Sequence, residues 1–275
     1  MIVVTGATGN VGRPLVRTLV EAGEQVTAVS RRISARDVPE GTRHHPADLA
    51  DPERLAPALE GAKALFVLTS GDFVAGGGDL GAVLDVVRGS GVRRVVLLSS
   101  QGVGTGHHPS VLEDAVKASG LEWTMLRPSG FHSNVLQWAD MVRTRREVAA
   151  PFGDVALPTV DPADIADVAA LALREPGHDG EVYELTGPAP VSPRQQTAAI
   201  EDALGEAVRF VELTRAQARE RMLGFMPEPV VENTLDMLGA PAAALRQVSP
   251  DVEHVLGRPA RAFADWAGRN VSAFA

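Results

Sequence analysis

The chain has 275 residues, 45% of them hydrophobic, with a formal net charge of −9 and no cysteine. That length suits one α/β domain or a domain with a smaller lobe, and an acidic balance without a dense Lys/Arg block argues against nucleic acid as a partner. Without cysteine there are no disulfides, thiol nucleophiles or thiolate metal sites, which fits a cytoplasmic protein; no apolar run reaches the roughly eighteen residues needed to span a membrane, and no signal peptide is expected.

Taken in order, Ile2–Thr5 reads as a first strand and runs into a glycine-rich turn, with a helix starting near Gly12. Further strands are predicted at Gln25–Ser30, in a short stretch ahead of Asp48, and at Ala64–Thr69, Arg94–Ser99 and Glu122–Arg127. Helices are predicted to start near Asp51, Gly78 and Ser110. Asp51-Pro52-Glu53 supplies an N-cap followed by proline at the first helical position, and Asp161-Pro162-Ala163-Asp164 repeats the device. Apolar runs alternating with amphipathic helices predict an α/β fold with a doubly wound, Rossmann-like parallel sheet. After Val182 the pattern changes: VYELTGP is a short strand closed by Gly-Pro, and the rest is helical segments broken by prolines. A main domain is therefore expected at 1–182 and a small, mostly helical lobe at 183–275, with a soft boundary and with 131–160 lining a cleft.

The turn TGATGNVGR spaces Gly6, Gly9 and Gly12 as G-x-x-G-x-x-G between a strand and a helix. Residues without Cβ permit a tight turn and close backbone approach to a pyrophosphate, whose charge then lies at a helix N-terminus. In this context the pattern predicts dinucleotide binding by Gly6, Thr8, Gly9, Asn10, Val11 and Gly12. At the end of the second strand, where NAD-binding folds place an acid for the ribose hydroxyls, stand Ser30-Arg31-Arg32. Arginines cannot accept from a hydroxyl but pair well with a 2′-phosphate, so NADP(H) is favoured over NAD(H) through Arg31 and Arg32. Asp48 and Leu49 are expected beside the adenine. Thr69 and Ser70 end the fourth strand, facing the coenzyme or capping the loop that follows.

Together, VTGATGNVG, ADLADPERLAPALEGAKALFVL, LLSS, ASGLEWTMLRPSGF, VDPADIADVAALAL, VYELTGP and GRPARAFADWAGRN resemble the NmrA-like atypical short-chain dehydrogenase/reductase family, near its NAD(P)H:quinone oxidoreductase-like branch. The resemblance covers nearly the whole chain and rests on the order and spacing of these segments. It implies an NAD(P)-binding domain, a small C-terminal lobe and a substrate cleft between them. It also implies that the turn from Arg127 to Phe131 runs beside the nicotinamide, with Pro128 and Phe131 near the ring and His132 or Asn134 toward substrate. Such a family includes quinone and enone reductases, sugar- and lignan-type reductases and non-catalytic redox sensors, so it leaves the activity open.

Typical short-chain dehydrogenases carry Tyr-x-x-x-Lys, in which lysine lowers the tyrosine pKa for proton exchange with a carbonyl. Here the single tyrosine is Tyr183, and four positions later stands Gly187. By position the pair would fall near Thr105 and Pro109, which cannot replace it; Tyr183 is read as structural. Ser99 and Ser100 end the fifth strand near the expected nicotinamide, although serines also commonly end strands and start turns. His107, His108, Glu113 and His132 are the proton donors within sequence reach, histidine being the natural one near neutral pH. The catalytic candidates are Ser99, Ser100, His108 and His132, with Ser99 also counted toward the coenzyme. His44, His45 and Asp48 lack a third ligand at suitable spacing, so no metal is expected. Arg143, Arg145 and Arg146 read as a solvated helix face, and Trp138, Phe225 and Met226 as lining of an apolar cleft.

The expected function is NADPH-dependent hydride transfer to a quinone, enone or similarly activated small molecule. The alternatives are a non-catalytic NADP(H)-binding redox sensor acting through a protein partner, or a biosynthetic cyclase or epimerase on the same fold. No nucleic-acid or membrane partner is expected, and a homo-oligomer remains open.

Overall fold

The computed structural model describes residues 1–275. Its main sheet has seven strands, β1 (Ile2–Thr5), β2 (Val26–Ser30), β3 (Arg43–Pro46), β4 (Ala64–Val67), β5 (Arg94–Leu98), β6 (Glu122–Pro128) and β8 (Glu181–Leu185). They run in the order β3-β2-β1-β4-β5-β6-β8 and every pairing is parallel. The outward path from β1 through β2 to β3, and then from β4 onward on the other side, is the doubly wound order expected from the alternating pattern. Strands β7 (Glu147–Pro151) and β9 (Arg209–Leu213) form a separate parallel pair.

Burial on both faces explains why the central strands read as unbroken apolar runs. Val3, Leu65, Val67, Val95, Leu97 and Met125 point into one core, shared with helices Pro52–Leu59, Leu80–Gly89 and Val111–Ala118. Their alternate neighbours Val4, Phe66, Val96 and Leu126 are also buried, so by the two-residue period of a strand they line the opposite face. Helices Gly12–Glu21 and Pro162–Arg174 pack together there, joined by Thr18 donating to Asp167 at 3.3 Å. The edge strand β3, RHHP, buries none of its residues and is defined by its ladder to β2.

The helix expected near Asp51 begins at Pro52 with Asp51 at the N-cap position, and only the cap bond differs. Asp51 makes no side-chain cap; its carboxylate turns to Arg54 at 3.1 Å. The helix predicted from Gly78 begins at Leu80, because Asp79 caps it by accepting from the Ala82 amide at 3.1 Å.

The chain divides into two compact units that interleave in sequence: 1–128, 162–185 and 251–258 form the first, and 129–161, 186–250 and 259–275 the second. A single boundary after residue 182 does not describe this division, because it would cut β8, whose residues pair with β6. The second unit is not helical alone, since it contains β7 and β9. Its core gathers Trp138, Val142, Val148, Phe263, Trp266 and Phe274. Trp138 thus packs in a core, and Phe225, expected in an apolar cleft, is 66% exposed.

Candidate functional site

All of the glycine-loop residues lie in the first unit. Gly6 takes φ +62°, a left-handed conformation that glycine adopts without strain. Its carbonyl accepts from the Gly9 amide at 2.9 Å and closes the turn. A Cβ at Gly12 would overlap the Gly6 carbonyl, so only glycine lets the helix start this close to the strand. Val11 is buried at the helix N-cap without a side-chain cap, and no acid occupies the first turn, which leaves the positive helix end for an anion. Asn10 is exposed beside it. These features fit the pyrophosphate of a dinucleotide.

The loop is tied to β2 through Ser30. The amide and hydroxyl of Thr8 both lie 3.2 Å from Ser30 Oγ. Ser30 therefore uses the place of the usual acid to hold the loop. Arg31 and Arg32 follow, both exposed, and Arg31 Nη1 meets Asp72 Oδ2 at 3.0 Å. A groove of about 350 Å³ opens between the first helix and residues 36–39, lined by Ala7, Arg13, Val16, Arg17, Arg36 and Val38. Sequence reasoning did not assign Arg13 or Arg36, which the fold brings to one groove.

The second-tier residues are more ordinary. Asp48 is exposed after β3 and its side chain accepts from the Ala50 amide at 3.0 Å. Leu49 packs against the main core. Ser70 caps helix Gly71–Ala75 by accepting from Phe73 at 3.1 Å, and half-buried Thr69 precedes it.

At the C-terminal ends of β5 and β6 a polar cluster gathers. The Ser99 amide is fixed by the Leu126 carbonyl at 2.8 Å, and its hydroxyl donates to Glu113 Oε1 at 2.6 Å. Glu113 is 1% exposed and receives Arg127 through Nε at 2.9 Å and Nη2 at 2.7 Å. Burial alone would raise the Glu113 pKa, but the bonds from Arg127 and Ser99, with the Arg127 charge, bring it below the ordinary carboxylate value. Both Glu113 oxygens are therefore taken up by Arg127 and Ser99, which makes it an anchor for these two side chains. Sequence reasoning missed its pairing with Arg127. The available signals were a glutamate three residues before the buried Val116, and an arginine interrupting the apolar strand TMLRP.

Ser100 Oγ accepts from the Gly102 amide at 3.0 Å and lies 3.1 Å from His108 Nδ1. A Cβ at Gly102 would overlap the His108 ring, so this glycine makes room for the pair. His107 turns instead to Thr105 Oγ1 at 2.9 Å. Pro128, the last residue of β6, is buried.

The remaining candidates belong to the second unit. Phe131 bridges to Val160, and Asn134 is exposed. His132 is 1% exposed, with Nδ1 2.9 Å from Thr159 Oγ1 and Nε2 3.4 Å from the Arg261 carbonyl, and its ring meets Phe263 edge-on. A ring engaged at both nitrogens is positioned to hold its own loop.

A family model for NAD(P)H binding matches residues 6–176, which is more than half of the chain. The chain belongs to this NAD(P)H-binding family. It is 36% identical, over all of its own length and 99% of the relative, to the (4-alkanoyl-5-oxo-2,5-dihydrofuran-3-yl)methyl phosphate reductase of Streptomyces griseus. It is 34% identical to the NAD(P)H azoreductase of Xenophilus azovorans, again over all of its length and 99% of the relative. The NADPH-dependent quinone oxidoreductase of Escherichia coli, solved with NADPH, has the same fold at a TM-score of 0.81 and 24% identity, covering 98% of this chain and 99% of that one. The resemblance to quinone oxidoreductase-like, NmrA-type reductases is thereby borne out. This NAD(P)H-binding chain has no helix long and apolar enough to cross a membrane.

Proposed function

We propose that the chain is an NADPH-preferring reductase acting on a quinone, an enone or a similarly activated small molecule. The observation that carries the reading is the Ser100–His108 pair, 3.1 Å apart after the central strand β5, in the segment that would otherwise present tyrosine and lysine. Its full-length relatives support it: one is named for reduction of an unsaturated lactone bearing an alkanoyl group, another for azo reduction.

A bound reduced nicotinamide coenzyme supplies the hydride. The glycine loop holds the pyrophosphate, and Arg31 with Arg32 takes the 2′-phosphate, each charge-assisted bond contributing about 1.5–3 kcal/mol. Reduction of a conjugated acceptor leaves an anion spread over several atoms, so the proton donor need not be strong. The Ser100 hydroxyl would give its proton to that anion, and His108, with its proton on Nδ1, would restore it while Nε2 takes a proton from solvent. Holding the reactants in place supplies much of the remaining rate.

The test is a titration with NADPH followed by nicotinamide fluorescence, then addition of a panel of quinones, enones and azo compounds. Binding followed by acceptor-dependent loss of signal is expected. Binding without turnover across the panel would favour a coenzyme sensor, and no binding would remove the reading at its base.

A further inference from the structure

Ser99 and Ser100 are neighbours at the end of β5, and their hydroxyls have different partners, a buried carboxylate for one and an imidazole for the other. Ser99 lies 2.6 Å from a carboxylate oxygen of Glu113, which also takes two bonds from Arg127 and is 1% exposed. An ionised carboxylate only accepts, so the single Ser99 proton is committed to Glu113 and its oxygen offers only lone pairs. Ser100 has no carboxylate partner: its oxygen accepts from the Gly102 amide and lies 3.1 Å from His108 Nδ1, a group that can either donate or accept.

The arrangement is enforced from beneath. A Cβ at Gly104 would come within 2.9 Å of both Arg127 Nη1 and Glu184 Oε1, so the short helix after Ser100 rests on the charged group that anchors Glu113. Lys117 Nζ adds a second cation 3.6 Å from Glu113. Leaving a buried carboxylate unpaired is costly, which keeps the cluster closed.

Resting on the coenzyme reading above, we propose that Glu113 is a positioning residue that makes Ser99 an acceptor-only group, so that Ser99 recognises the N–H of the coenzyme's carboxamide and leaves proton delivery to Ser100. A lone-pair-only oxygen repels a developing oxyanion and welcomes an amide donor. The strand end where Ser99 stands is where doubly wound sheets meet their coenzyme. The two serines thereby divide the work: one selects the amide of the nicotinamide, the other serves the substrate.

The experiment compares dissociation constants for NADPH and for the reduced 3-acetylpyridine analogue, in which a methyl group replaces the amide nitrogen. It uses the wild-type protein, Ser99→Ala and Glu113→Gln. Ser99→Ala leaves the Glu113–Arg127 pair intact and covers the case in which the glutamine variant fails to fold. Wild type should prefer NADPH by about five- to tenfold, the worth of one hydrogen bond, and the preference should shrink toward one in both variants. Glu113→Gln presents an amide donor to Ser99 and should abolish the preference without any loss of the serine. A preference unchanged in Ser99→Ala would overturn the assignment while leaving the coenzyme reading intact. Failure of the wild type to bind either nicotinamide would overturn both.

Discussion

Arg31 Nη1 lies 3.0 Å from Asp72 Oδ2, with the two side chains 57% and 81% exposed. The guanidinium read as a 2′-phosphate ligand therefore already has a carboxylate partner. An exposed pair is worth at most about 1 kcal/mol, so Asp72 is a weak competitor for Arg31 against the 2′-phosphate proposed to bind there. Asp72→Asn should tighten NADPH about two- to fivefold and leave NADH unchanged. Arg31→Ala combined with Arg32→Ala should weaken NADPH by tenfold or more and NADH little. Calorimetric titration with both coenzymes checks this, and equal losses would remove the NADP assignment.

The glycine loop gives a prediction that links coenzyme binding to stability. Because a Cβ at Gly12 meets backbone, no side-chain rotation relieves it. Gly12→Ala should destabilise the protein by about 3 kcal/mol, the upper end for overpacking, and abolish coenzyme binding. Denaturant melts and titration of the same sample check both effects. Gly23→Ala serves as the control: its Cβ would meet nothing within 4 Å, and only the local strain of φ +81° applies.

For proton delivery, His108→Asn should lower kcat by roughly 10²-fold, the low end for general acid catalysis, with little change in NADPH affinity. Ser100→Ala should cost a similar amount. Since the two act as a unit, the double variant should be scarcely worse than either single one. Additive losses would show that they act separately. His132→Asn should act mainly through stability, because His132 is held at both ring nitrogens.

Stability should fall with acid in two stages. His178 is pushed below its ordinary pKa, chiefly by burial, while its Nδ1 contacts the Tyr183 hydroxyl at 2.9 Å. A depressed folded value means the unfolded chain takes the proton first, so stability declines as pH falls from the ordinary histidine value through the folded one. Glu113 has the same sign, and its contribution is present above the ordinary carboxylate value and lost as pH falls below it. Thermal melts across pH check both: His178→Gln should flatten the first decline, and Glu113→Gln the second.

The main sheet was legible because its central strands are apolar on both faces, as in IVVT and ALFV, and glycines or Asp-Pro mark the turns between them. The glycine loop was legible for the same reason: its chemistry is local. Strands β7 and β9 were not, since the residues of EVAAP and RFVEL pair at a sequence separation of 62 and carry no local signal of that pairing. Nor was the interleaving of the units, which depends on β8 returning to β6 after a long excursion. Arg143 and Arg146, read as solvated, bind the Ala273 and Phe274 carbonyls at 2.6 and 3.1 Å, contacts that exist only once distant segments meet. The Glu113–Arg127 pair was hidden likewise, being fourteen residues apart and joined only by the fold. The missing tyrosine could be counted, but the approach of Ser100 to His108 depends on how the turn after β5 folds.

The most direct test of the account follows an isotope. NADPH carrying deuterium on the transferring carbon of the nicotinamide is incubated with the protein and an acceptor from the enone or quinone class. For an enone, deuterium should appear at a single carbon of the product in proportion to NADPH consumed. Product containing only solvent-derived hydrogen at that carbon, or NADPH bound but not consumed with any acceptor, would contradict the assignment as a hydride-transferring reductase.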